Sequence, residues 1–428
     1  MDKSLLKQVV IDQQEEFIKL EFTRREQLSE ELLQLVTESK LVKVVLGVRR
    51  SGKSSLCADV LRSKRLVYVN FDDERLVGLR TEDLQTLLEV MQEIVPNVEI
   101  YFLDEIQNID SWELFVNRLE RSRYNIVLTG SNGKLLGKDL ATHLTGRAVS
   151  LTLYPLSFSE FLKWRGVDCE SKKISEQSSK VKATLSAQLS EYSQLGGFPD
   201  VVLGESQMIY LRELFDKIIT RDIVQRYKIR DIKIVKELAL YLIQNSSQII
   251  SYGLLQATFK LSSITTTRKY VQMLQDVFLI HEIRAYSYKL KERSTARRKT
   301  YACDLGMMRA LWSKPTQDLG AFLETLIFLH LLIDKKEVYF LADRQSEVDF
   351  CVVKDGKPCQ LIQVCYELSS PKTREREVEA LKRFSEMYNV SDLYILTRDT
   401  SEKIKIAGKK TINVMPAWEF LLTLTLSP

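Results

Sequence analysis

A chain of 428 residues with 45% hydrophobic and 28% charged residues is long enough for two to four domains with cores of their own. That composition excludes a disordered or collagen-like chain. No apolar run approaches the roughly 18–20 residues that span a bilayer; the longest, Leu326 to Ile333, is interrupted by His330. The opening MDKSLLKQVVIDQQEE has no stretch of signal-peptide length, which predicts a cytoplasmic protein without membrane attachment. Six cysteines without CxxC spacing and three histidines argue against zinc. The net charge is only +5, but residues 221–300 hold sixteen Lys/Arg against six Asp/Glu. A local excess of this size points to a polyanionic partner.

In chain order, residues 1–40 read as a helical segment. Next comes LVKVVLGVRRSGKSSL, an apolar, β-branched run leading into Gly47, four residues, Gly52, Lys53 and Ser54. This is GxxxxGKS between a strand and a helix, the phosphate loop of nucleotide hydrolases. The glycines let backbone N–H groups wrap the phosphates of ATP, and Lys53 neutralises charge on the β- and γ-phosphates. Ser54 places a hydroxyl on Mg²⁺, and the helix that starts at this point, with Ser55 in its first turn, adds its positive end.

About fifty residues on, IYFLDEIQ ends a buried strand in Asp104 and Glu105. Two carboxylates at such a place need a cation or a water: Asp104 is expected to hold Mg²⁺ through its water shell, and Glu105 to polarise the attacking water. The next apolar strand, NIVLTGSN, ends in Ser131 and Asn132, either of which can sense a γ-phosphate. In LTGRAVSLTLYPL, Arg147 directly precedes another strand. In ring-forming ATPases an arginine at this place reaches a neighbour's nucleotide.

Together these motifs resemble the bacterial and archaeal AAA-type ATPases that pair a GVRRSGKS loop with LDEIQ, LTGSN, LTGR and PLSFSEF. In that family GGFP and a C-terminal restriction-endonuclease-like domain follow. The resemblance runs from about Val42 to Trp418. It implies ATP and Mg²⁺ as ligands and assembly into a homo-oligomer, a hexamer by analogy with AAA-type rings; a helical or dimeric assembly is equally consistent with the residues. GGFP, Gly196 to Pro199, is similar to an element of the signal-transducing ATPases whose proline packs near the nucleotide, which would make Pro199 a nucleotide contact.

Residues 169–186 are polar and poor in apolar side chains, a surface excursion. RELFDKIITRDIVQRYKIRD then has the helical spacing of a lid helix ending near Tyr227. From Asp231 the pattern is helix, short helix, a third helix starting near Ser263 to Thr265, and two strand-like runs, IHEIRAYSY and KTYACD, bracketing KLKERSTARRK. Three helices and a hairpin predict a winged helix. Arg268 and Lys269 sit in the first turns of its third helix, and Lys289, Lys291, Arg293, Arg297, Arg298 and Lys299 on its wing; these are the predicted DNA contacts.

Beyond it lie GAFLETLIFLHLL with Glu324, SEVDFCVV with Asp349, and QLIQVCYEL with Gln363 and Cys365. Their order resembles a PD-(D/E)xK nuclease core, in which a helix Glu, a strand Asp and an ExK or QxK strand gather Mg²⁺ and a lysine. Here Cys365 stands at the lysine position and Gln363 lacks a carboxylate, so this site is expected to be degenerate and inactive.

The predicted fold class is therefore α/β: an AAA-type core at 41–165, a helical lid and linker at 166–230, a winged helix at 231–302, and a nuclease-like domain at 303–428. The expected activity is ATP hydrolysis coupled to binding or remodelling of DNA, branched or structured DNA included. The alternatives are a slow nucleotide switch acting through protein partners, and an ATP-gated nuclease.

Overall fold

A computed structural model of the chain describes all residues except 21, 134–145, 168–177, 205–206, 288–296, 314–317, 407–409 and 425–428, and the side chain of 207. The chain divides into two compact units. The first is Met1–Tyr154 with Asp276–Phe278, and the second is Pro155–Gln275 with Leu279–Pro428.

The first unit is a parallel sheet of β1 (Val42–Leu46), β2 (Leu66–Asn70), β3 (Ile100–Asp104), β4 (Asn125–Gly130) and β5 (Ala148–Thr152) in the order β2-β3-β4-β1-β5. Its central strands are apolar at consecutive positions because both faces are covered. Val42, Val44 and Leu46 of β1, Tyr101 and Leu103 of β3, and Ile126 and Leu128 of β4 enter one core. The intervening Val45, Ile100, Phe102 and Val127 enter the other. The second of these cores also holds Leu56, Cys57 and Leu61 of the helix Lys53–Leu61 that follows β1.

The free edge of β2 is covered by the helix Lys3–Lys19. Gln13 accepts from the Asn70 N–H at 2.9 Å and donates to the Asn70 carbonyl at 3.0 Å. Gln14 does the same for Tyr68 N–H and the Leu66 carbonyl, at 2.9 and 3.3 Å. Two glutamine amides thus stand in for a neighbouring strand on an otherwise unpaired edge.

In the second unit a run of helices includes Gln207–Lys217, which widens into a π-helix over Ile218–Gln225. The helices Ile232–Gln244, Tyr252–Thr258 and Ile264–Asp276 are joined by a three-stranded sheet of β6 (Ile249–Ile250), β7 (Ile280–Arg284) and β8 (Arg298–Ala302), in the order β6-β8-β7. A six-stranded mixed sheet follows, made of β9 (Glu337–Ala342), β10 (Glu347–Lys354), β11 (Lys357–Val364), β12 (Asp392–Thr397), β13 (Glu402–Lys405) and β14 (Thr411–Pro416). Its order is β13-β14-β12-β11-β10-β9. The helix Leu319–Ile333 buries ten consecutive-turn residues, as an apolar surface on all sides requires.

That helix carries a buried histidine. His330 bonds the Leu326 carbonyl through Nδ1 at 2.9 Å, and its Nε2 accepts the Phe158 N–H at 2.8 Å, so the ring is neutral with its proton on Nδ1. Burial lowers its pKa to about 4, and His281 is lowered to about 4 for the same reason. An unfolded histidine takes up a proton near 6.5. The stability due to each is therefore complete above about pH 6.5 and is lost as pH falls toward 4. Asp304, raised by burial to about 6, opposes the trend between about pH 4 and 6. Between pH 6.5 and 5.5 each histidine is expected to cost about 1 kcal/mol. Urea unfolding at the two pH values should show a smaller loss for His330→Asn than for the wild-type chain; equal losses would refute the assignment.

Candidate active site

The loop after β1 is shaped by contacts that only glycine permits. Gly47 has φ +152°, and a Cβ on it would lie 2.1 Å from the Leu153 carbonyl oxygen. The loop that follows wraps back on itself, because the Lys53 ammonium donates to the carbonyls of Gly47 at 3.1 Å and Val48 at 3.2 Å. Gly52 caps the helix Lys53–Leu61, placing Ser54 and Ser55 in its first turn.

Ser54 donates to Asp104 Oδ2 at 2.8 Å, and the Tyr68 hydroxyl donates to the same oxygen at 2.9 Å. Thr129 from β4 donates to the other oxygen. Burial, and then the adjacent Glu105, raise the Asp104 pKa above its ordinary value, as desolvation and a like charge both disfavour the ionised form. For Glu105, burial acts in the same direction but is outweighed by Lys53, 3.6 Å away, with help from Gln107 and Arg49; its pKa is lowered. Glu105 is therefore an ionised base at neutral pH. Its Oε2 accepts from Ser131 N–H at 3.2 Å and Ser131 hydroxyl at 3.1 Å, and from Gln107.

The sequence-predicted residues Gly47, Gly52, Lys53, Ser54, Asp104, Glu105 and Ser131 thus converge on one end of the sheet, beyond the carboxyl ends of β1, β3 and β4. Asn132 is buried immediately after Ser131. Three contributors were not foreseen. Thr129 accepts from the Glu105 N–H at 3.0 Å besides holding Asp104, Tyr68 caps Asp104, and Arg49 of the loop is paired with Asp72 at 3.2 Å. Only the LTGSN spacing hinted at Thr129; Arg49 lies inside the phosphate loop itself, and Tyr68 is brought alongside on β2.

The cradle fits a nucleotide phosphate and a divalent ion. The Ser51 hydroxyl in the loop is buried with no hydrogen-bond partner, and Ser54 with Asp104 offers the hydroxyl and carboxylate oxygens that Mg²⁺ accepts.

Arg147 is not in this cradle. Its carbonyl accepts from Val42 N–H at 2.9 Å, beside the first residue of β1, so about 15 Å of strand separates it from the phosphate loop. Its side chain is half exposed and pairs with Glu120 at 3.1 Å. Pro199 belongs to the second unit, where it opens the short helix Pro199–Leu203. The glycines before it answer to packing: a Cβ on Gly196, at φ +75°, would lie 2.3 Å from the Asp304 carboxylate. Asp304 accepts from Gly197 N–H at 2.6 Å and Met307 N–H at 2.8 Å. GGFP therefore has a structural explanation that needs no nucleotide.

Among the predicted polyanion contacts, Arg268, Lys269 and Arg297 are exposed. Arg298 lies 5.3 Å above the Tyr252 ring and pairs with Glu282 at 2.9 Å. Lys289, Lys291 and Arg293 lie outside the described residues. Lys299 requires a correction: placed on a solvent-facing wing by the sequence reading, it is buried, with its ammonium 2.9 Å from Glu324, 2.5 Å from Glu347 and 3.2 Å from Asp349. β8 is buried at four consecutive positions from Lys299 to Ala302, so this lysine cannot meet a polyanion.

The same contacts account for Glu324 and Asp349. Burial would lower the Lys299 pKa, but the surrounding Asp349, Glu324 and Glu347 hold it above its ordinary value. Gln363 accepts from the Asp349 N–H at 3.3 Å and donates to Glu377 at 2.6 Å, while the Cys365 thiol donates to the Glu367 carbonyl at 3.1 Å. Among the described residues no group of three or more His, Cys, Asp or Glu is arranged to hold a metal ion, and none of their helices is long and apolar enough to cross a membrane.

Comparison with known proteins agrees with the geometry. Residues 39–162 match the model of an AAA domain, and residues 186–318 that of a domain of unknown function. An uncharacterized protein of Methanocaldococcus jannaschii is 32% identical over 440 residues, covering 98% of this chain and 96% of that one. An uncharacterized protein of Haemophilus influenzae is 32% identical over 352 residues, 76% of this chain and 84% of that one. Among solved structures, a Walker-type ATPase of Pyrococcus abyssi is similar at 16% identity and TM-score 0.44, over 68% of this chain and 96% of that one. The Aeropyrum pernix Orc1 protein in complex with DNA is similar at 14% identity and TM-score 0.31, over 68% and 92%. With a phosphate loop after β1, a DE pair at the end of β3 on the far side of β4 in the same parallel sheet, and a relative matched over nearly its whole length, the chain belongs to the family of AAA-domain ATPases.

Proposed function

We propose that the chain is an oligomeric, Mg²⁺-dependent ATPase whose turnover is coupled to DNA binding by residues 231–302 acting as a winged helix. The observation that carries the DNA reading is the placement of exposed cations on this module. Arg268 and Lys269 occupy the first turns of the helix Ile264–Asp276, and Arg297 directly precedes β8. A three-helix set with a small antiparallel sheet that offers cations at a helix start is suited to phosphate contact.

In the ATPase site, Ser54 and Asp104 would hold Mg²⁺, which when bound draws charge off the phosphate oxygens. Lys53 binds phosphate, Glu105 takes up a proton from water, and Ser131 positions the Glu105 carboxylate. Arg147, paired with Glu120 at 3.1 Å and remote from its own phosphate loop, would act only on the site of another copy.

The test is steady-state ATP hydrolysis without DNA, with duplex DNA and with branched DNA, at low and high salt. Stimulation by DNA that falls as salt rises is expected, each phosphate contact adding about 0.9 to the log–log slope. Arg268→Ala with Lys269→Ala should reduce stimulation about tenfold and leave basal turnover unchanged. Turnover indifferent to every DNA would refute the reading.

One observation favours the alternative of a slow switch with protein partners. The Glu105 carboxylate is already engaged by Ser131, Gln107 and Lys53, which would restrain hydrolysis until nucleotide rearranges them. A nuclease role loses support because an ammonium sits among the acids a metal would need.

A further inference from the structure

The phosphate loop carries two consecutive arginines, Arg49 and Arg50, and the fold places them differently. Arg50, at φ +68°, is exposed. Arg49 is drawn inward. Its side chain is 17% exposed, and both terminal nitrogens of its guanidinium donate to one oxygen of Asp72, each at 3.2 Å.

Asp72 stands two residues past the end of β2. In the sheet, β1 and β2 are separated by β4 and β3, which makes three strand spacings or about 14 Å. A side chain that leaves the loop after β1 and ends on a carboxylate beyond β2 therefore lies across the carboxyl ends of β4 and β3, the strands that lead into Ser131 and Glu105. The charge of Arg49 accordingly acts on the Glu105 carboxylate together with that of Lys53. The guanidinium is thus on the side of the loop that faces the water-activating carboxylate, where the terminal phosphate of a triphosphate must meet the attacking water.

The anchor is itself held. Asp72 N–H donates to the Asn70 side-chain oxygen at 2.9 Å. Its second carboxylate oxygen accepts from the Asn108 amide at 3.4 Å, and that amide also donates to the Phe71 carbonyl at 3.1 Å. A guanidinium presents five N–H donors in a planar fork, and Asp72 engages two of them, which sets the plane of the group.

We propose that Arg49 contacts the terminal phosphate of ATP bound in its own loop, as a catalytic arginine supplied in cis, and that Asp72, backed by Asn108, is the positioning residue that keeps the guanidinium there. This rests on the ATPase site described above and adds to it a means of telling a triphosphate from a diphosphate. Arg147 would serve the site of another copy, so the two arginines are separable by experiment.

The experiment uses the full chain as wild type, Arg49→Gln, Arg49→Lys and Asp72→Asn. Dissociation constants for ADP and for a non-hydrolysable ATP analogue are measured by calorimetry, beside kcat and KM for ATP hydrolysis. Arg49→Gln should weaken the analogue about 10- to 100-fold, as expected for loss of a hydrogen bond to a charged group, and ADP by less than about threefold. Arg49→Lys should recover most of that selectivity, while kcat stays at least about tenfold low because an ammonium cannot reproduce the fork. Asp72→Asn should lower kcat about tenfold with KM nearly unchanged, the effect of a misplaced group.

Equal weakening of the analogue and ADP in Arg49→Gln would show that Arg49 only braces the loop and would overturn the proposal, as would an unchanged affinity for the analogue. If Arg49→Gln does not fold, Arg49→Lys decides: a wild-type kcat overturns the proposal, and a reduced kcat with selectivity kept supports it. A loss in Asp72→Asn confined to KM would overturn the positioning role. A wild-type chain that binds neither nucleotide would overturn the nucleotide site itself, and this proposal with it.

Discussion

Glu105→Gln is expected to lower the rate of ATP hydrolysis by about 10²–10⁴-fold, the usual contribution of a positioned general base, while nucleotide binding is retained. The substitution is nearly isosteric and leaves Lys53 and the Gly47 loop in place. Glutamine can still meet the Ser131 hydroxyl, which bonds Glu105 at 3.1 Å, so the fold of the site survives. What is lost is the ionised carboxylate that Lys53, 3.6 Å away, keeps deprotonated despite burial. Single-turnover hydrolysis and fluorescent-nucleotide binding, measured side by side, separate the two effects. Equal loss of both would show that Glu105 acts in binding.

Arg147→Ala is expected to lower turnover by about 10³-fold, in the lower part of the range for an arginine supplied in trans, if copies of the chain complete one another's sites. The side chain is half exposed and its ion pair to Glu120 at 3.1 Å is on the surface. Such pairs are worth little to stability, so the variant should unfold at an unchanged temperature. Mixing is the sharper measurement. Arg147→Ala retains an intact phosphate loop, Lys53→Ala retains the arginine, and the mixture should regain activity that neither variant has alone. Absence of complementation, with both variants assembled, would place the arginine outside the reaction.

The ATPase site was legible in the sequence to an unusual extent. The residues predicted for it, which the structure brings together, lie on short contiguous segments: the loop from Gly47 to Ser55, the Asp104–Glu105 pair, and Ser131 with Asn132. Each follows a strand of a parallel sheet, and parallel strands deliver their carboxyl ends to one edge, so strand-end residues distant in sequence meet without any special pairing. The alternating burial of β1, β3 and β4 likewise follows from their apolar runs.

The basic stretch was less legible. Net charge over residues 221–300 counts cations without regard to direction. Lys299 and Arg297 lie two apart, yet one is buried among acids and the other exposed. The direction of each is set by how β8 packs against β10 and the helix Leu319–Ile333, and composition holds no record of that.

By itself, the sequence determined the AAA-type core, its phosphate loop and its acidic pair, because each is a local pattern whose geometry is fixed by the strand, turn and helix that contain it. Only the tertiary structure decided that Gln13 and Gln14 finish the edge of β2 and that GGFP is held by Asp304. It also decided that the carboxylates of the nuclease-like pattern surround a lysine. In each of these, groups 25 or more residues apart are matched across elements, where an unpaired polar group is costly and the partner is chosen by the packing of whole elements.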